Sequence, residues 1–187
     1  MSLEERRARE QAARRRLIVS TARGVAEAEG WEAVTTRRLS AEIEYSQPVL
    51  YKHFAGMEQI AAAVAVEGFG ELAEAVRTAR SGPDALLQVA HAYVDFARAN
   101  PAVYDAMFTR GTTLQFAAPD TPPQLKAAFA ELREAVATVA DGQDVDALTE
   151  VVWAALHGLV ALGRGGRLRP GLDADRIRLL VAQIAGA

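Results

Sequence analysis

The chain contains no cysteine. That excludes a disulfide framework, a zinc–thiolate site and a thiol nucleophile, and it fits a cytoplasmic protein. Aromatic residues make up only 6%. No segment alternates apolar and polar residues for long, so a β-sandwich or barrel has no strands to build from. No run approaches 18 uninterrupted apolar residues, and no membrane-spanning helix is expected. The opening MSLEERRAREQAARRR lacks the apolar centre of a secretory signal. The three histidines, His53, His91 and His157, have no metal-ligand spacing, so neither a metal nor a cofactor is predicted. No serine stands in a G-x-S-x-G motif. Gly163-Arg164-Gly165-Gly166 follows a helix and not a strand, so it reads as a turn, not a phosphate loop. An enzyme is not expected.

What is present is helix-forming sequence. Half of the 187 residues are apolar, enough for a sizeable core. Ala, Leu, Glu and Arg dominate. The net charge is -3, but residues 1–60 carry about +1 and the remainder about -4. The local excess lies at Arg6, Arg7, Arg9, Arg14, Arg15, Arg16, Arg37, Arg38 and Lys52. It fits a DNA-facing patch on an acidic body. The plain alternative is a solvated helix face, since Glu4, Glu5 and Glu10 interleave the first arginines.

Apolar spacing and stop signals predict an all-α fold of about nine helices. A first helix covers about 5–29, with Ile18, Ala22, Val25 and Ala26 on one stripe and Gly30 ending it. A second covers about 36–43, capped by Thr35 or Thr36. A third opens on Ser46 with Pro48 in its first turn. A fourth covers about 57–79. Further helices are expected over 84–99, 101–109, 123–140, 144–162 and 173–184. Residues 1–56 read as one functional domain and 57–187 as another.

The stretch TTRRLSAEIEYSQPVLYKHF, residues 35–54, carries the most specific signal. Two short helices meet at a tight corner, as in a helix-turn-helix whose second helix enters the major groove. Gln47 can pair bidentately with adenine. Pro48 and Val49 can touch a thymine methyl. Arg37 can bind guanine O6 and N7 together. Thr36, Tyr51, Lys52 and His53 can meet the backbone phosphates. The alternative is an ordinary helical corner with these groups on its surface.

The ordered set Gly30, Thr35, Leu39, Ser46, Leu50, Tyr51, His53, Phe54, Glu58 and Ile60 resembles the tetracycline-repressor (TetR) family of transcriptional regulators. The resemblance covers residues 15–64. It implies base contacts from Arg37 and Gln47, thymine packing by Pro48, and backbone positioning by Thr36, Tyr51, Lys52 and His53. It also implies a homodimer on a palindromic double-stranded DNA operator, released by a small-molecule effector. Two residues depart from the pattern: Glu44 stands where glycine is usual, and Met57 where lysine is usual. They motivate a second reading, a helical small-molecule-binding protein with weak or lost operator specificity.

The C-terminal part is less specific. Trp153-x-x-x-His157-Gly158 resembles the W-H-G pattern of one C-terminal subgroup. Candidate pocket residues are Phe69, Tyr93, Phe96, Tyr104, Met107, Phe108, Phe116, Trp153 and His157, with Tyr93, Tyr104, Arg110 and His157 as polar handles. Such aromatic stripes equally fit plain core packing. The last two long helices are strongly apolar and are expected to form the homodimer interface, a two-fold four-helix contact.

Overall fold

The computed structural model describes residues 2–111, 114–116 and 118–186. Among them there are nine α-helices and no strand. The helices are α1 Leu3–Glu29, α2 Thr36–Glu42, α3 Gln47–His53, α4 Met57–Ala79, α5 Ala85–Ala99, α6 Pro101–Phe108, α7 Pro123–Ala137, α8 Val145–Arg164 and α9 Asp173–Ile184. A one-turn 3-10 helix, Trp31–Ala33, follows α1.

Local chemistry explains most boundaries. Ser2 and Glu5 form a capping box at the start of α1. Gly30 ends that helix at φ 84°, a conformation that costs glycine little. Thr35 Oγ1 accepts from the Arg38 N–H at 3.1 Å and caps α2. Asp144 caps α8 by accepting from the N–H groups of Asp146 and Ala147. The starts of α3 and α9 lack a side-chain cap. Ser46 occupies the N-cap position of α3, but its side chain makes no capping hydrogen bond. Leu172, not Asp173, is the N-cap of α9; Asp173 lies in the first turn, where its carboxylate pairs with Arg98 and Arg176.

The chain divides into two compact units. One comprises Met1–Gly68 with Asn100–Asp120, the other Phe69–Ala99 with Thr121–Ala187. In the first unit Ile18, Val19 and Ala22 of α1 are buried, as are Leu39, Leu50 and Phe54. These residues hold α2 and α3 on α1. The same unit contains α6, fastened to α1 at its N-terminus. Pro101 has no N–H, and Asn100 makes no capping bond. Glu27 of α1 supplies the acceptors instead: its Oε2 accepts from the Ala102 N–H at 3.1 Å and its Oε1 from the Val103 N–H at 3.0 Å. Trp31 Nε1 donates to the Ala102 carbonyl at 2.8 Å, and Arg23 donates to Asn100 Oδ1 at 3.0 Å. Gly68 of α4 meets α6 closely. A Cβ there would fall 2.3 Å from Val103 Cγ1 and 2.9 Å from Met107 Sδ.

In the second unit α5 packs against α7, α8 and α9. Val89, Tyr93 and Phe96 of α5 are buried, with Leu132 and Val136 of α7 and Val152, Leu156 and Val160 of α8. Arg80 and Glu131 pair at 2.6 Å. α8 is long and apolar enough, by length and composition, to cross a membrane. Thr149, Glu150, His157 and Gly158 break its apolar run without making the helix polar. Only 22% of its apolar window is buried within the chain. Val151 and Leu162 of α8 are 56% and 42% exposed, and Leu179 of α9 is 63% exposed.

Candidate nucleic-acid interface

The corner between α2 and α3 is closed by backbone. The Tyr45 N–H donates to the Ser40 carbonyl at 3.1 Å, and the Val49 N–H to the Ser46 carbonyl at 2.9 Å. Glu44 sits at φ 56°, in the left-handed region. A glutamate there carries a strain of order 1 kcal/mol relative to glycine. The Ser40 hydroxyl beside this corner is buried without a hydrogen-bond partner.

The outward residues of the two helices form one polar surface. Arg37, Gln47, Pro48, Tyr51 and Lys52 are exposed, Tyr51 by 54%. Thr36, Val49 and His53 are half-buried. Arg38, by contrast, is occupied: it pairs with Glu29 at 2.8 Å and with Glu42 at 3.0 Å. Of the two adjacent arginines, Arg37 is the one turned to solvent without such a pairing. Leu39 and Leu50 are the buried anchors beneath this surface.

The sequence places Arg15 in the basic excess but does not show its contacts with α3 and Phe54. Its Nη1 donates to the His53 carbonyl at 2.8 Å, satisfying an end carbonyl of α3. Its guanidinium lies 4.0 Å from the centroid of the Phe54 ring, a cation–π contact. One signal was available. Arg15 continues, by helical spacing, the stripe of Ile18, Ala22 and Val25. His53 is held below its ordinary pKa by burial and by the charges of Arg14, Arg15 and Lys52. Its ring is therefore neutral near pH 7 while the surrounding groups are cationic.

The candidate pocket residues fall into two sets. Phe69, Tyr93 and Phe96 are buried in the second unit, with Trp153 and His157 half-buried there. Trp153 Nε1 donates to the Tyr93 hydroxyl at 3.2 Å. Burial holds His157 below its ordinary pKa. Tyr104, Met107 and Phe108 lie on α6 in the first unit, with the Tyr104 and Phe108 rings 4.7 Å apart. Phe116, in the loop after α6, is 44% exposed. Arg110 lies 5.1 Å from the centroid of the Trp31 ring.

A capped helix, a strained tight corner and a second helix with a cationic, hydrogen-bonding outer face define a helix-turn-helix of the kind found in DNA-binding regulators. The comparisons with known proteins agree. Residues 18–64 match the family model for bacterial regulatory proteins of the tetR family, and residues 86–185, just over half of the chain, match the tetracyclin repressor-like C-terminal domain. The chain belongs to the TetR family of transcriptional regulators. It is 41% identical over 95 residues to the uncharacterized HTH-type transcriptional regulator YobS of Bacillus subtilis, a match that spans 49% of this chain and 49% of YobS. It is 28% identical over 167 residues to the uncharacterized HTH-type transcriptional regulator Rv0681 of Mycobacterium tuberculosis, covering 87% of this chain and 75% of that protein. The crystal structure of the regulatory protein SCO4313 shares the fold, with a TM-score of 0.74 at 20% identity over 96% of this chain and 98% of that one.

Proposed function

We propose that this regulator is a repressor that binds a palindromic operator as a homodimer in the cytoplasm and is released by a small, largely apolar effector. The observation that carries the DNA reading is the α2–α3 surface. Arg37 and Gln47-Pro48 stand exposed on either side of the corner, each backed by a buried leucine. In this reading Arg37 and Gln47 contact base edges, Pro48 and Val49 pack on thymine, and Thr36, Tyr51, Lys52 and His53 position the phosphates. Residues 1–56 do the reading, and 57–187 serve the effector and the dimer. Val151, Leu162 and Leu179 leave apolar surface on α8 and α9 that a second copy would cover. A dimer also satisfies the DNA, whose half-sites lie about 34–36 Å apart.

The effector reading rests on Phe69, Tyr93, Phe96, Trp153 and His157, an aromatic group with two polar handles. An effector acts only by binding the DNA-competent and released forms with different affinity. α4 runs through both compact units and is the element that would carry the change.

A gel shift with the promoter region beside the protein's own gene tests the reading. Arg37→Ala and Gln47→Ala should each weaken binding by about 1–3 kcal/mol. Binding unaffected by both changes would refute the site. The strain at Glu44 favours a second reading, a small-molecule-binding protein with weak operator specificity. Equal affinity for the promoter and for unrelated DNA would support that one.

A further inference from the structure

The first four turns of α1 stand apart from the buried core. The helix begins at Leu3, yet its first buried residue is Ile18. An isolated stretch of this length is marginal as a helix in water. This one is reinforced: Ser2 and Glu5 close a capping box, and Arg6 pairs with Glu10 at 2.9 Å on the far face.

Between these turns and the end of α3 lies a cleft of about 290 Å³, lined by Ala8, Gln11, Ala12 and Arg15 from α1 and by Lys52 and His53 from α3. The α1 residues share one stripe by spacing. Two of them are alanines, so a bulky strand can come close to the helix. Arg15 is fixed at the cleft's inner end by its bond to the His53 carbonyl and its contact with Phe54. By the same spacing Arg7 and Arg14 flank the stripe on one side, and Arg9 and Arg16 on the other. Glu4 lies one turn beyond Ala8 by helical spacing and is not among the lining residues. Glu5 is engaged with the Ser2 N–H at 2.9 Å. No carboxylate is among the lining residues.

We propose that this cleft seats one sugar–phosphate strand of duplex DNA, a sequence-independent contact beside the reading surface. The inference rests on the DNA reading given above. Lys52 and His53 belong to both surfaces, so a strand bordering the groove read by α3 runs on into the cleft. The cationic lining and the continuity of the two surfaces select a polyanion as occupant. Burial first, and then the Arg14, Arg15 and Lys52 charges, lower the His53 pKa, and those same charges make the cleft attractive to a phosphate.

The test is a fluorescence-anisotropy titration of the full-length chain. Two labelled duplexes of about 30 bp, long enough for two half-sites, are used: the promoter region and an unrelated sequence. Salt is varied between about 50 and 200 mM. Ala12→Glu should weaken binding to both duplexes by roughly tenfold and lower the salt slope by about one unit. Ala12→Lys should tighten both and raise the slope by about one unit. The ratio of promoter to unrelated binding should stay unchanged in both variants. A merely structural helix would respond to the two changes alike. If both variants bind with the parent's affinity and slope while Arg37→Ala still loses the promoter, the cleft is not a DNA seat and the reading surface stands. If Arg37→Ala and Gln47→Ala change nothing, the reading surface fails, and the unrelated duplex still judges the cleft. Circular-dichroism melts of the two Ala12 variants verify that each is folded.

Discussion

Glu27 makes the sharpest stability prediction. Its carboxylate accepts the N–H groups of Ala102 and Val103, the first two that α6 has to offer after Pro101. Both donors belong to buried residues, 6% and 0% exposed. Glu27→Ala removes both of these acceptors, and burial of the two residues limits access to water. A hydrogen bond to a charged group contributes about 1.5–3 kcal/mol. Glu27 is half-buried, so about 1–2 kcal/mol per bond is the reasonable figure, and roughly 3 kcal/mol for the pair. For a chain of this size that is a fall in melting temperature of about 9 °C. Glu27→Gln keeps one acceptor and turns its amide toward the other N–H, so it should lose about half as much. The assay is thermal unfolding followed by circular dichroism at matched concentration. A Glu27→Ala protein that melts within about 1 °C of the parent would refute the capping role.

Three further changes follow from the geometry. Glu44→Gly relieves a φ of 56° and should stabilise the chain by about 1 kcal/mol, read from a urea midpoint; no gain would mean the corner is unstrained. Gly68→Ala places a methyl 2.3 Å from Val103 Cγ1 and should destabilise by about 1–3 kcal/mol despite alanine's better helix propensity. Adding Val103→Ala should cost less in the Gly68→Ala background than alone, and strict additivity would refute the close approach. His157 has its pKa lowered by burial in the folded chain. Its neutral form contributes stability fully above the unfolded value near 6.5, and that contribution is lost as pH falls through the lower folded value. Melts between about pH 7.5 and 5.5 should drop less in His157→Asn than in the parent, and parallel curves would refute this.

Local chemistry was legible in the sequence. Gly30, Thr35, Pro48, Asn100-Pro101 and Asp144 each mark a helix end through a property of their own backbone or side chain, and the helices start and stop near them. The polar face of α3 was legible for the same reason: Gln47, Tyr51 and Lys52 lie within a few residues of the apolar anchor Leu50. What stayed hidden depends on distant partners. Glu27 reaches residues 75 and 76 positions away, and Arg15 reaches one 38 away. No local pattern announces the Glu27 contact, and for Arg15 the helical stripe shows the side but not the partner. Ser46 shows the reverse error, since a good capping residue stands in the right place but its hydroxyl is not used.

The unit that holds the reading helices is not contiguous in the chain. It needs α6, which is made only after the 31 residues Phe69–Ala99 of the other unit. During synthesis the reading head therefore waits, with the face of α1 that receives α6 uncovered, until residues near 110 emerge. Its assembly depends on closing a long loop, which slows folding relative to a purely local three-helix domain. A fragment ending at residue 68 would contain every group proposed to touch DNA, yet lack the helix that Glu27, Trp31 and Gly68 are shaped to hold.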